Sequence, residues 1–132
     1  MVLLGRRKSE TDYDGVFSFF GGKMENTDRS LLEGLHREKN EEIGSSCWIK
    51  LYPEFSTNYM FQKQDGNFMI IPHYYAEFGG GEIVLSDEYS EYKWLHVDRL
   101  DSFEPKIHTI PEVVRKLLAL SKMIGANDLI KI

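Results

Sequence analysis

The segment Gly21–Gly44, GGKMENTDRSLLEGLHREKNEEIG, decides the fold that this sequence predicts. It begins with two glycines, which follow an aromatic, β-prone run over residues 16–20, and it continues through a polar loop. Ser30 and Glu33 fit a Ser-x-x-Glu capping box, which predicts that a helix starts there. Gly44 stands where a left-handed C-terminal residue is expected, so the segment predicts a strand, a loop and a helix.

Three glutamates crowd the second half of this predicted helix. Glu38, Glu41 and Glu42 stand at i, i+3 and i+4, so they spread over roughly 100° of one helix face. Their charges repel one another and lie near the C-terminus, where the helix dipole disfavours them. A hard divalent cation such as Mg²⁺ would neutralise them, and Arg37 can hold Glu41 one turn away. The alternative interpretation is a solvent-facing acidic helix without a metal.

The register of this segment resembles the signature of the Nudix family of pyrophosphohydrolases. That signature is a Gly, five residues, a Glu, seven residues and then Arg-Glu-apolar-x-Glu-Glu-x-Gly. Gly22 fits the first position, and the second half is filled in register by Arg37, Glu38, Glu41, Glu42 and Gly44. The segments over residues 3–7 and 91–95 are also similar to the family.

The chain departs from that signature in the loop and in the helix. The spacing from Gly22 to Arg37 is one residue longer than in the family, which indicates a loop insertion with Asp28 as the substitute for the first Glu. Lys39 and Ser45 replace residues that are usually apolar. The longer loop is similar to that of the branch that decaps small nucleolar RNA and hydrolyses inosine nucleotides.

The resemblance implies hydrolysis of a nucleoside diphosphate linked to another moiety, such as a nucleoside triphosphate or an ADP-ribose-type compound. It implies one to three Mg²⁺ or Mn²⁺ ions, held by Glu38, Glu41, Glu42 and a backbone carbonyl at Gly21. Such ions lower the pKa of a bound water. Glu41 or Glu38 would accept the proton of that water, and Arg37 would orient the site.

Residues outside the helix are candidates for substrate or metal contacts. Arg6 and Arg7 are candidates for phosphate contacts, and because side chains alternate along a strand, at most one should face the site. Glu91 and Glu88 are candidates for a further carboxylate, although each also fits a plain surface charge. Four aromatic residues fit either base stacking or the core: Tyr13, Phe19, Tyr59 and Tyr74.

The rest of the chain predicts more strands and one more helix. Turn residues occur at 11–15 and 64–67, and strands are predicted at 2–6, 48–52, 58–62, 68–78, 82–85 and 92–97. A last helix is predicted over 110–123, with Thr109 as its N-cap and Pro111 in its first turn. This order predicts an α+β fold, a Nudix-like α/β/α sandwich with a mixed β-sheet between helices. The family usually has another strand before residue 3, so we expect a sheet that lacks its usual first strand.

Composition predicts one domain over residues 1–132 and limits the partners. The chain has 42% hydrophobic and 28% charged residues, as in globular proteins. Its formal net charge of −5, without a basic run, argues against nucleic acid and membrane surfaces and favours a small nucleotide. The lone Cys47 and the lack of a membrane-length apolar run predict a cytoplasmic protein. An incomplete sheet edge favours a homodimer.

Two other functions fit the same residues. A Nudix-like module without catalytic activity would bind a nucleotide or a partner protein, and Lys39 together with the expected missing strand favours it slightly. An RNA-decapping enzyme would carry the same glutamates, but the acidic net charge argues against a long RNA substrate.

Overall fold

The computed structural model describes residues 1–8 and 13–132 of the chain. These residues form strands and two α-helices in the order β1 (Val2–Arg7), β2 (Phe17–Ser18), α1 (Leu31–Ile43), β3 (Cys47–Gln62), β4 (Phe68–Gly81), β5 (Tyr89–Leu95), α2 (Ile110–Ser121) and β6 (Ile130–Lys131). No helix in this part of the chain is long and apolar enough to cross a membrane.

The strands form two antiparallel sheets of three strands each. Their strand orders are β2-β1-β5 and β4-β3-β6. Within residues 1–8 and 13–132, the parallel component is an isolated bridge between Phe17 and Lys106. The predicted α+β class is therefore confirmed, with its mixed character limited to that bridge.

The sheet β2-β1-β5 lies between the two helices. Leu4 of β1 is fully buried and belongs to one cluster with Ile110 of α2. Gly5 faces the opposite side because successive side chains alternate along a strand. On that side a Cβ at Gly5 would meet the Tyr89 ring, and Tyr89 interacts electrostatically with Glu42 of α1. This places one helix on each face of the sheet, as in an α/β/α sandwich.

The buried residues of the helix α2 lie in its N-terminal half. Val113 and Val114 are buried, whereas Leu118 is 39% exposed. Thr109 makes no side-chain capping hydrogen bond, although Pro111 does lie in the first turn. The N-terminal half of α2 packs against Leu4 and its neighbours, so burial follows contact with that sheet and not the average periodicity of the helix.

The hairpin of β3 and β4 is longer than the predicted strands. The separate strands predicted at 48–52 and 58–62 are one strand, and its pairing with β4 shifts between Leu51 and Ser56. β4 extends through three glycines, from Gly79 to Gly81, beyond the end predicted at residue 78. The strand predicted at 82–85 is wrong, because the Glu82 and Val84 amides donate to backbone carbonyls around the end of α1 and not to a neighbouring strand.

The ends of α1 are close to the prediction. The Ser30 hydroxyl accepts a hydrogen bond of 3.1 Å from the Glu33 amide, which confirms the predicted start. Gly44 has a positive φ of 95°, but its ψ of 162° is extended and not left-handed helical. Its amide donates to the Asn40 carbonyl, while the chain leaves directly into β3. The turn predicted at 11–15 lies partly outside the described residues.

Candidate active site

The buried side of α1 is charged. Leu32 and Leu35 lie at intermediate depth, and Leu31 is 39% exposed. The buried positions instead include Glu38, Lys39 and Glu42. Burying charged groups is unfavourable unless they are paired or bound to a cation. The contacts of these three side chains therefore define the candidate site.

Arg37 connects the loop before α1 with the glutamates on it. Its Nη1 donates to Glu38 Oε1 and to Glu41 Oε2, each at 3.0 Å. Its Nη2 donates to the Lys23 carbonyl at 3.0 Å. Arg37 also lies 3.3 Å from Glu25 Oε1. One guanidinium thus orients two of the three glutamates relative to the loop.

Asp28 supplies the firmest anchor for Arg37. Its two carboxylate oxygens accept hydrogen bonds from Nε and Nη2 of Arg37, each at 2.9 Å. The Asp28 side chain is 3% exposed, and its Oδ2 also accepts from the Glu25 amide at 2.8 Å. The Arg37 guanidinium and that amide lower the pKa of Asp28 to about 2. Asp28 is therefore a carboxylate that holds the arginine.

The glycine turn lies against Glu38. A Cβ at Gly22 would overlap the Glu38 carboxylate, so the contact requires a residue without a side chain. The Glu38 side chain is 12% exposed, and burial raises its pKa in spite of the neighbouring Arg37. At Gly21, by contrast, no heavy atom of residues 1–8 or 13–132 lies within 4 Å of a Cβ position, so these residues leave the space beside Gly21 open.

Glu42 lies in a different environment from the other two glutamates. It is 5% exposed, and its Oε2 is buried without a hydrogen-bond partner in the described part of the chain. Burial and the nearby Glu88 carboxylate raise the pKa of Glu42 to about 8. Burial and the neighbouring Glu42 carboxylate raise the pKa of Tyr89 as well. The sequence named Glu88 as a candidate, but nothing in its pattern pointed to Tyr89.

The segment that carries Glu88 is tied to the end of α1 by the backbone. The Ser86 amide donates to the Glu42 carbonyl at 3.2 Å, and the Val84 amide donates to the Ile43 carbonyl at 2.9 Å. On the other side of the same turn, Lys39 Nζ donates to the Cys47 carbonyl at 2.8 Å. Lys39, which breaks the apolar pattern of the helix, thus binds a carbonyl beyond the helix end.

The acidic residues on the buried side of α1 have side chains of the type that bind a divalent cation. In the described part of the chain, no three acidic, histidine or cysteine side chains already form a group that could hold a metal ion. Arg37 binds Glu38 and Glu41, while Glu42 turns towards Glu88 and Tyr89. Glu42 nevertheless has a buried oxygen without a partner beside a second carboxylate. A hard cation is the usual partner for such a set of oxygens.

The other charged candidates are divided between the two sides of β1. Arg6 donates to the Gly15 carbonyl at 3.1 Å, and its Nη1 lies 3.8 Å from Glu91 on the paired strand β5. Arg7 acts electrostatically on Tyr89, which contacts Glu42. Arg7 is therefore the arginine on the side of α1, while Glu91 forms ion pairs with Arg6 and Lys93.

Two of the aromatic candidates meet around a histidine. The ring centroids of Phe19 and Tyr59 lie 5.5 Å and 5.9 Å from that of His73. The His73 Nδ1 and the Tyr59 hydroxyl are buried without hydrogen-bond partners in the described part of the chain, and burial lowers the pKa of His73. Tyr13 packs instead on Phe61, at 5.4 Å between ring centroids.

Comparison with known proteins agrees with this architecture. A family model described as the NUDIX domain matches residues 1–118. An Ap4A hydrolase from C. elegans, solved as a binary complex, is 15% identical with a TM-score of 0.72 over 92% of this chain and 86% of that chain. A MutT protein from Methanosarcina mazei Go1 is 24% identical with a TM-score of 0.71 over 91% and 84%. No curated protein matches the chain in sequence.

Proposed function

Because the chain belongs to the Nudix family of hydrolases, we propose that it is a metal-dependent pyrophosphohydrolase. Its substrate would be a nucleoside diphosphate linked to another moiety, in the size range of a nucleoside triphosphate or an ADP-ribose-type compound. The observation that carries the proposal is the acidic face of α1, on which Arg37 holds Glu38 and Glu41. Glu42 is buried on the same helix beside the Glu88 carboxylate.

Mg²⁺ or Mn²⁺ is the cofactor that this set of residues fits. Glu38, Glu41 and Glu42 would hold it, together with a backbone carbonyl at Gly21. Glu88 is a further candidate, since its carboxylate already lies near that of Glu42. When bound, the metal supplies a Lewis acid that polarises phosphate oxygens and lowers the pKa of a coordinated water.

The protein residues would orient the site and move the proton. Arg37, fixed by Asp28, holds Glu38 and Glu41 relative to each other. The Glu41 side chain is 52% exposed, so water can reach it, and it is our first choice for the group that accepts a proton from the attacking water. Glu38, at 12% exposure, is the second choice.

Phosphate and base contacts would come from the strands next to α1. Arg7 is the better candidate for a phosphate contact, because it lies on the side of Tyr89 and Glu42. Arg6 and Glu91 are weaker candidates, since they pair with each other across β1 and β5. Phe19 and Tyr59 are the aromatic residues that best fit contact with a base, because polar atoms without partners lie among their rings.

A substrate screen with a catalytic variant tests the proposal. After incubation with Mg²⁺, the nucleotide products would be separated and quantified by chromatography for nucleoside triphosphates, ADP-ribose, sugar nucleotides, dinucleoside polyphosphates such as Ap4A, and capped RNA. Glu41→Gln should abolish turnover of the preferred class. Glu112→Gln, which changes an exposed glutamate on α2, should leave it intact. Equal loss in both variants, or turnover that survives in Glu41→Gln, would contradict the proposed role of the α1 glutamates.

A binding module without catalytic activity is the second candidate. Two observations on the described side chains favour it. Glu38 and Glu41 are hydrogen-bonded to Arg37, and the described residues contain no group of three side chains already arranged to bind a metal ion. This candidate predicts nucleotide binding by calorimetry without turnover of any substrate class. It also predicts no effect of Mg²⁺ on the thermal midpoint of unfolding.

A further inference from the structure

The hairpin of β3 and β4 has one exposed face that is nearly all apolar or amide in character. The register pairs Met60 with Ile70 and Gln62 with Phe68. Directly paired residues of an antiparallel sheet share a face, and every second residue along each strand joins them. We call this surface the hairpin outer face, and it consists of Asn58, Met60, Gln62, Phe68, Ile70 and Pro72.

Every residue of the hairpin outer face is exposed. Met60 is 70% exposed, Phe68 is 61% exposed and Ile70 is 74% exposed. The alternate residues of the same strands behave differently, because Tyr59 packs against His73 and lies 4.9 Å below the Lys116 ammonium of α2. One face of the hairpin is therefore used inside the molecule, while the described part of the chain leaves the other uncovered.

The lack of charged residues around the hairpin outer face indicates which kind of partner it binds. Residues 56–62 and 66–76 contain no Lys, Arg, Asp or Glu, in a chain of net charge −5. Lys63 and Asp65, in the turn between the strands, lie 4.0 Å apart as an ion pair. Monomeric proteins usually carry charged side chains on such exposed strands, and these charges prevent association with other chains. Nucleic acids and anionic lipids would require Lys or Arg on the face, and it has neither.

A second copy of the chain meets these conditions. Two acidic copies repel each other over most of their surfaces, but not where two charge-free faces meet. We propose that the hairpin outer face is a homodimer interface, in which it packs against the same face of a second copy about a two-fold axis. Pro72 lacks an amide hydrogen, so it would leave a gap in the backbone hydrogen bonds between β4 and a strand of the second copy. Pro72 therefore favours a dimer in which two sheet faces pack together over a dimer in which two edge strands pair.

The size of the face sets the expected affinity. Met60, Phe68 and Ile70 together expose roughly 400 Å², taking about 200 Å² for each whole residue. Asn58, Gln62 and Pro72 extend the face towards the roughly 800 Å² per partner of a standard interface. The contact lies at the lower end of that range, so the dimer should dissociate on dilution.

Sedimentation velocity over a dilution series tests this interface. The wild-type protein should change from dimer to monomer between about 200 μM and about 1 μM. Ile70→Lys should raise the dimer dissociation constant at least about tenfold, because each copy would bury a charge against the other. Met123→Lys is the matched control, since Met123 is 83% exposed but lies beyond α2, and it should dimerise like the wild type.

Several outcomes decide the question. A wild-type monomer at every concentration would overturn the proposal, and so would a dimer that survives both Ile70→Lys and Met60→Lys. Met60→Lys serves as the second variant if Ile70→Lys does not fold, as judged by circular dichroism. Binding of the wild-type monomer to uncharged lipid vesicles, lost in Ile70→Lys, would assign the face to a membrane instead. None of these results depends on the proposed hydrolase activity.

Discussion

Asp28 and Arg37 form a two-point ion pair, with Oδ1 and Oδ2 of the aspartate each 2.9 Å from a guanidinium nitrogen. The pair joins the loop after Gly22 to α1, and the same guanidinium reaches Glu38 and Glu41. Two parallel hydrogen bonds between charged groups restrict orientation more than one contact does. The position of two candidate catalytic glutamates therefore depends on a residue outside the helix.

Asp28→Asn should lower activity more than it lowers stability. The amide leaves one hydrogen bond to Arg37 but removes the charge that anchors it, so kcat/KM should fall by about tenfold to a hundredfold. Steady-state kinetics on the preferred substrate measure this loss. Glu25→Gln is the matched control, because Glu25 is 54% exposed and its carboxylate makes a single contact with Arg37 at 3.3 Å. An equal effect of both changes would show that Asp28 has no special role.

Gly22→Ala should displace Glu38. A methyl group at that position would overlap the Glu38 carboxylate, so either the loop or the side chain must move. Displacement of a catalytic group by about 1 Å can lower the rate about a hundredfold, so kcat should fall by that order. In Gly125→Ala the nearest heavy atom lies 3.5 Å from the added methyl, and that control should keep its activity. Wild-type kcat in Gly22→Ala would contradict the contact.

Glu42 should make the metal-free protein less stable as the pH rises. Its folded pKa of about 8 lies above the ordinary 4.5, so its contribution is fully present below pH 4.5 and is lost as the pH rises towards 8. Glu42→Gln should remove this loss, because the amide does not ionise. Thermal midpoints in a chelator from pH 5 to pH 9 would show it. Mg²⁺ should raise the thermal midpoint of the wild type but not that of Glu42→Gln. If the midpoints of the two proteins change in parallel with pH, Glu42 does not cause the loss of stability.

His73 should have the opposite pH dependence. Burial lowers its pKa below the ordinary 6.5, so its contribution to stability is present above pH 6.5 and is lost as the pH falls below that value. His73→Gln should flatten the decline of the unfolding free energy between pH 7 and pH 5, as measured by urea denaturation. His108→Gln changes an exposed histidine and serves as the control. If the unfolding free energy of His73→Gln declines as much as that of the wild type, groups other than His73 cause the decline.

The local pattern of the helix was enough to predict one half of the site. The capping of α1 depends on Ser30 and Glu33, which are three residues apart. The contact of Arg37 with Glu41 joins successive turns of the same helix. Such relationships depend on helix geometry alone, so they can be predicted without knowledge of the fold. Asp28 was also expected to substitute for a missing glutamate, which stays a prediction, and its carboxylate accepts two hydrogen bonds from Arg37.

The surroundings of Glu42 were decided by the tertiary structure. Glu38, Lys39 and Glu42 of α1 are buried although they are charged. The periodicity of the helix predicts that its charged residues face solvent. Tyr89 and Glu88 lie near Glu42 because the segment that follows the β3–β4 hairpin runs along the end of α1. Which strands pair, and where their register shifts, depends on contacts between distant residues.

The sequence by itself therefore determined the α+β class, the helix that carries the glutamates and the family to which the chain belongs. The helix and the family follow from spacing within one short segment, because helix geometry and capping act over a few residues. The class follows from the order of the predicted strands and helices along the chain. Only the tertiary structure decided which carboxylates are buried, which arginine lies on the side of α1, and which face of the long hairpin is left uncovered. Those properties come from the packing of sheets and helices against one another, and burial is a property of the whole assembly of elements.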